Sequence, residues 1–464
     1  MLFSSFVFLS IFLPVLLAVY YFSGREHRNT ILLIFSLLFY GWGEPVLLSV
    51  MILSIIWNYT IAVILDRFSQ SRCRKLILGI GIAANLLCLG YFKYMDFFIE
   101  NINWLFNTNT ALLHVIMPIG ISFYTFQSIS YLVDVYRNDV KVEKNILNVG
   151  LYITFFPQLI AGPIVKFHEI SHDITLRQES LSNFSSGMQR FIEGLAKKVL
   201  IANVMAAVAD SVFQRGIPEL TGADLWLGAT AYFFQIFFDF SGYSDMAIGL
   251  GKMFGFRIPE NFNFPYVSKT ITEFWRRWHI SLSTWFKEYL YIPLGGSRCS
   301  WIKVLRNLLI VFAVTGIWHG ASWTFLAWGL WHGFFIILER ITGLNKKVFH
   351  PAAAVVMRIY LLSVVFIGWI FFRADNFQYS FAYIRKMFSF ENWKEPTVAI
   401  SPLFIVILCA AVFFSTELPH KIYTKFKNSV VFTVFWKALC VILLLLVLIR
   451  LASSSYNPFI YFRF

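Results

Sequence analysis

Apolar residues in this chain come in long blocks joined by short polar stretches. The blocks fall at 3–22, 30–43, 46–65, 76–98, 111–133, 146–165, 191–213, 224–251, 301–318, 320–338, 352–372, 400–416 and 431–449. Most are close to the roughly 20 residues that an α-helix needs to cross a hydrocarbon core about 30 Å thick. A β-barrel would instead show short segments of alternating polarity. The pattern predicts an all-α, polytopic integral membrane protein with roughly eleven spans, joined by re-entrant or interfacial helices. The block at 111–133 carries Pro118, Gly120, Gln127 and Ser130. It is expected to be broken, as backbone inside protein or beside a water-filled cavity can be. The first block, Phe3 to Phe22, lacks a basic leader and a small-residue cleavage site. It reads as a membrane helix and not as a signal peptide. With no soluble stretch, internal repeat or linker, 1–464 is expected to be one integral domain.

The joints give an orientation. Arg25 and Arg28 follow the first block, and Arg67, Arg72, Arg74 and Lys75 follow the third. Arg137, Lys141 and Lys144 follow the fifth, whereas 41–45 and 99–110 contain no Lys or Arg. By the positive-inside rule the basic joints face the cytoplasm and the N-terminus faces out. The same flanking residues account for the net charge of +14, so a nucleic-acid partner is not required. Only 14% of residues are charged and 58% are hydrophobic, against about a quarter charged in a soluble protein. Cys73, Cys88, Cys299, Cys409 and Cys440 follow no metal spacing, so neither a zinc site nor a disulfide framework is expected.

Against this background the ionisable residues stand out, because a polar group at membrane depth is costly and by default functional. Thr272 to Tyr291 reads as one amphipathic helix, with Arg277, Ser281, Thr284 and Glu288 in a polar stripe at about 100° per residue. His279 falls with Trp275, Leu282 and Phe286 on another side. It can be a core histidine bonded to a backbone carbonyl or a member of an active site. Arg276 and Arg277 can anchor an interface or hold an anionic donor such as a phosphate-bearing thioester. His319 lies between apolar runs, with Gly316 and Gly320 close by. A neutral imidazole there is a natural general base, and an interhelical hydrogen bond is the plainer alternative. His332 repeats the Trp-His-Gly string, but one continuous helix would put it about 20 Å from His319 along the axis. Such a separation excludes it from a shared centre. Asp239, Asp245 and Glu273 are candidates for orienting a histidine or for buried ion pairs, and Tyr243 and Ser244 for donating hydrogen bonds. No Walker loop, dinucleotide fingerprint or His-Glu-x-x-His string is present.

Several rare strings occur in order. They are Phe156-Pro-Gln-Leu-Ile-Ala-Gly-Pro163, Asp239-Phe-Ser-Gly-Tyr-Ser-Asp245, Pro259-Glu-Asn-Phe-Asn263, Phe274-Trp-Arg-Arg-Trp-His279, Tyr291-Ile-Pro-Leu-Gly-Gly296 and Trp318-His-Gly320. Together with the opening Phe3-Ser-Ser they resemble the membrane-bound O-acyltransferase family over essentially the whole chain. The resemblance points to its bacterial branch, which acetylates alginate and peptidoglycan and transfers D-alanine to teichoic acid. It implies a body of about eleven helices around a central funnel, with His319 as catalytic residue and His279 as second active-site histidine. It further implies that acetyl from a cytoplasmic donor, acetyl-CoA, crosses the inner membrane. The acetyl then passes to a periplasmic or membrane-anchored partner, or directly to a polysaccharide. No metal or bound cofactor enters this scheme. Tyr243, Asp245, Glu273, Arg276 and Arg277 are the candidate substrate-binding residues. A competing reading of the residues alone is a transporter or flippase whose intramembrane histidines relay protons. A scaffold with purely structural histidines is a third.

Overall fold

The computed structural model describes residues 1–389, 394–453 and 456–460, and among these every regular element is helical. In chain order the main helices are α1 (Leu48–Arg67), α2 (Arg74–Phe106), α3 (Ile121–Arg137), α4 (Gly222–Met253) and α5 (Ile271–Arg277). They continue as α6 (Ile280–Phe286), α7 (Trp301–His319), α8 (Trp323–Ile341), α9 (Pro351–Arg373) and α10 (Val430–Ser453). Five of them, α1, α2, α7, α9 and α10, are long and apolar enough to cross a membrane. Pro402–Phe414 and Leu418–Phe426, bent by 67° at their joint, make a sixth if taken as one span.

Among the described residues, five or six of the roughly eleven expected spans are thus single helices of sufficient length and apolarity, and several other apolar blocks are interrupted in three dimensions. The block at 146–165 divides into Ile146–Thr154 and Phe156–Leu159. The block at 191–213 runs through a π-helical turn at Lys197–Ala202, and the first block starts with another at Phe8–Phe12. The second block, Arg28–Gly41, is a helix of only 14 residues. Helix α4 is 32 residues long but buries Gln235, Asp239, Ser241, Ser244 and Asp245.

The chain forms two compact units, Met1–Phe191 with Met246–Pro259, and Ile192–Asp245 with Glu260–Phe464. In the first, α1 and α2 are clamped by Asn58 and Asn85, whose side-chain amides each donate to the other's oxygen at 3.1 and 2.8 Å. Such pairs satisfy polar groups that lipid cannot. The expected break near 111–133 lies at its start. Residues 107–120 have no regular structure, and α3 then runs unbroken from Ile121 with Gln127 and Ser130 buried. Gly120 makes the turn at φ +75°, and a Cβ there would lie 2.5 Å from the Leu159 carbonyl oxygen. Only glycine fits that position.

In the second unit α7 and α8 form a tight hairpin. A Cβ on Gly316 would lie 2.3 Å from the Phe325 carbonyl oxygen, and one on Gly329 would lie 2.2 Å from that of Phe312. The two backbones touch because these glycines carry no side chain. His319 is the last residue of α7; Gly320 leaves the helix in extended backbone, and Ser322 caps α8 by accepting from the Thr324 N–H at 3.3 Å. The glycine contact thus fixes where α7 ends and where His319 stands. Replacing Gly329 with Val should cost about 3 kcal/mol or more through overpacking. Gly79→Ala, at a helical site with nothing within 4 Å, should stay within about 0.5 kcal/mol of wild type. Thermal unfolding of the two purified variants in detergent checks this.

Candidate functional site

The stretch expected to be one amphipathic helix is two short ones with a joint between them. Helix α5 ends at Arg277, α6 begins at Ile280, and a π-helical turn follows at Lys287–Tyr291. At the joint His279 adopts φ +44°, ψ +54°, a left-handed conformation that a non-glycine residue holds only when its surroundings impose it. The polar stripe drawn through Arg277 and Ser281 therefore does not exist.

Asn261 imposes the joint. Its side-chain oxygen accepts from the Ser281 N–H at 3.2 Å and from the Ser281 hydroxyl at 2.9 Å, and it lies 3.2 Å from Nδ1 of His279. Its backbone oxygen accepts from the Ile280 N–H at 3.0 Å, and its side-chain N–H donates to the Ser244 hydroxyl at 3.1 Å. A backbone N–H can only donate, so the atom facing Ser281 and His279 is the amide oxygen. Nδ1 of His279 must then carry the proton, and Nε2 of the neutral ring keeps its lone pair. Burial pushes the His279 imidazole down to about 3, so the ring is neutral at physiological pH.

Helix α5 is anchored at its other end by Glu339 of α8, a fully buried residue. Its carboxylate accepts from the Ile271 N–H at 2.5 Å, the Thr272 N–H at 2.9 Å and the Thr272 hydroxyl at 2.7 Å. A negative charge against the free N–H groups of a helix start is favourable, and here it ties α5 to the α7–α8 hairpin.

The two histidines meet. Their ring centroids are 6.5 Å apart with planes at 62°, and the residues are 1% and 7% exposed, so both are withdrawn from solvent. Phe240 of α4 meets the His279 ring edge-on at 4.6 Å. Trp328 and Phe372 do the same to His319 at 5.0 and 5.2 Å. His319 lines a small cavity closed by Ile236 and Phe240 of α4, Trp278, Trp328, Trp369 and Phe372 of α9, and Ile460. Its free space is about that of a water molecule. The result is a small aromatic cavity beside His319, with the His279 ring packed against Phe240, one of its walls.

His332 requires a correction. The continuous helix that would have separated it from His319 is interrupted at Gly320–Ser322, so the separation does not hold. Its ring is 5.3 Å from that of Trp328, which is itself 5.0 Å from His319, and Trp275 meets it edge-on at 5.4 Å. His332 is not among the residues lining the cavity beside His319.

Each of the three candidate acids is committed to a basic partner. Asp239 pairs with Lys198 at 2.7 Å, and Asp245 pairs with Lys197. Glu273 pairs with Arg277 at 3.1 Å and accepts from the Lys269 N–H. Arg277 also reaches Glu417 at 3.1 Å and the Asn263 carbonyl. Arg276 is exposed, while Tyr243 is buried with its ring against Phe459 at 4.8 Å. Asn261, Glu339, Trp369, Phe372 and Ile460 carry much of the site, yet sequence reasoning gave none of them a role. Asn261 lies within a quoted string and could have been found there. The others sit in apolar runs or at the chain's end and carry no local signal.

Residues 140–382 match the model of the membrane-bound O-acyltransferase family. The chain is 40% identical to the probable alginate O-acetylase AlgI of Pseudomonas putida, with all of both chains covered. It is 37% identical to the peptidoglycan O-acetyltransferase of Helicobacter pylori, over 83% of this chain and 80% of that one. A weaker likeness, 29% identity over 47% of this chain and 58% of the other, links it to the teichoic acid D-alanyltransferase of Bacillus subtilis.

Two outcomes follow from the Asn261 joint. Asn261→Ala removes the oxygen that Ser281 and His279 share, at about 1–3 kcal/mol for each buried donor left unsatisfied, so its melting temperature should fall well below that of wild type. For His279, the folded-state pKa lies below the ordinary value of about 6.5. Its neutral form is therefore compatible with the fold above that pH, and stability is lost as the pH falls from there towards 3. At pH 4.5 this loss amounts to roughly 2–3 kcal/mol. His279→Asn keeps a residue that tolerates left-handed backbone and removes the titration. Its melting temperature should drop less between pH 7 and about 4.5 than that of wild type.

Proposed function

Taking as premise that the chain belongs to the membrane-bound O-acyltransferase family, and is thus a multi-pass membrane acyltransferase, we propose that it is an O-acetyltransferase of the bacterial inner membrane. In this reading acetyl from cytoplasmic acetyl-CoA is carried across the membrane to O-acetylate an exported or cell-wall polysaccharide, alginate-like or peptidoglycan. Acceptance is direct or through a periplasmic or membrane-anchored acetyltransferase partner. The observation that carries the proposal is the approach of the two imidazoles, His279 and His319, with His319 lining a small cavity walled by aromatic rings. The printed names of relatives similar over most of their length supply the acetyl group and the polysaccharide class.

The chemistry follows from the residues. The acetyl carbonyl of the thioester enters the chamber beside His319. His319 takes the proton of the acceptor hydroxyl as that oxygen attacks the carbonyl, and the CoA thiolate leaves with a proton returned from the imidazolium. Nε2 of His279, oriented by the Asn261 bond to Nδ1, accepts a hydrogen bond from a second hydroxyl of the acceptor and so orients it. Water is excluded by the aromatic walls, which protects the thioester from hydrolysis. Of the two candidate arginines, Arg276 is the one free of ion pairs among the described residues and available for donor phosphates.

Purified protein incubated with radiolabelled acetyl-CoA should release CoA and label a polysaccharide acceptor or partner. His319→Ala should lower that turnover at least about 1,000-fold while eluting and melting as wild type does. Near-normal acetyl transfer by a folded His319→Ala protein would sink the assignment.

A further inference from the structure

Residues 456–460 run along the second unit and are held at every step. The Tyr456 hydroxyl donates to Asp210 at 2.6 Å, and Asn457 accepts from Asn203 at 3.1 Å. The Pro458 carbonyl accepts from the ammonium of Lys198, and Phe459 lies against Tyr243. The Ile460 N–H donates to one carboxylate oxygen of Asp239 at 2.9 Å, while the other oxygen meets Lys198 at 2.7 Å. Lys198 and Asp239 are 2% and 1% exposed. A buried ion pair is tolerated only when its remaining lone pairs and protons are also satisfied. Here the segment supplies both missing partners, a carbonyl for the lysine and an N–H for the aspartate. Its position is therefore dictated by the ion pair, not by loose surface packing.

That bond fixes the backbone of Ile460, a residue that lines the cavity beside His319. We propose that Ile460 is a specificity-determining wall of the acyl pocket, set in place by the Lys198–Asp239 pair, and that it limits the transferred group to acetyl length. The inference rests on the acetyl-transfer reading above. It assigns to the chain's last described residues a part in donor selection, far in sequence from both histidines. In an apolar pocket one methylene is worth about 10- to 200-fold in discrimination. Removing three carbons of the isoleucine side chain makes room of that order.

The test compares wild type, Ile460→Ala and Ile460→Trp with acetyl-CoA and propionyl-CoA. Ile449→Ala, at an exposed apolar position on α10, is the control. The propionyl-to-acetyl ratio of kcat/KM should rise about tenfold or more in Ile460→Ala and stay at the wild-type value in Ile449→Ala. Ile460→Trp should lose at least about tenfold in acetyl turnover while eluting as wild type does. A second measurement does not depend on turnover or on the stability of either variant. In Ile460→Cys, chloroacetyl-CoA should alkylate the new thiol: the sulfur bonds to the methylene carbon, chloride leaves and the thiol proton goes to solvent. Peptide mass spectrometry reads that adduct at position 460 and its absence in Ile449→Cys. If wild type turns over acetyl-CoA, an unchanged donor ratio in Ile460→Ala, or no adduct at position 460, overturns the inference. Adduct at position 460 without turnover in wild type would support the pocket wall and overturn the acetyl-transfer reading instead.

Discussion

The side-chain oxygen of Asn261 is the point on which the site turns. It is a single acceptor facing three donors, and satisfying them all requires the chain to break between α5 and α6. A straight helix through this stretch would carry His279 past the site on a regular face. The break instead bends the histidine into left-handed backbone and selects its tautomer. One buried amide thus sets the backbone, the ring orientation and the tautomer of His279.

Two other buried contacts hold the opposite side of the chamber. Gly316 and Gly329 let α7 and α8 approach backbone to backbone, so α7 ends with His319 turned towards the site. Glu339 then ties the start of α5 to the same hairpin through the free N–H groups of a helix terminus. The two histidines come from opposite ends of these ties, so their 6.5 Å spacing is a property of the α5–α7–α8 assembly. The surrounding tryptophan and phenylalanine rings fill the remaining volume and exclude water. The ion pairs of the second unit play a different part. Lys198–Asp239 fixes the path of residues 456–460, and Arg277 joins Glu273 and Glu417. Charges in this unit therefore position backbone around the site.

Much of this was legible from the chain before any coordinates. Long apolar blocks gave the all-helical membrane architecture, and costly histidines among them marked His279 and His319. The acids Asp239, Asp245 and Glu273 were weighed as ion-pair partners, and each has one. The division of the blocks into helices was less legible, because hydropathy averages over a window and does not register a π-turn or a one-residue break. The same blindness made 272–291 read as one helix and made 319–332 read as a continuous spacer for His332.

The sequence by itself determined the solvent of this protein, its secondary-structure class and the residues whose placement in that solvent demands a reason, because these depend on local composition and period. Tertiary structure alone decided which of those residues meet. Asn261 reaches His279 and Ser281 across a joint, Glu339 of α8 caps α5, and Ile460 lines a cavity beside His319. Each is a contact between segments whose separation along the chain carries no local pattern. Their pairing is set by the need to satisfy every buried donor, acceptor and charge at once.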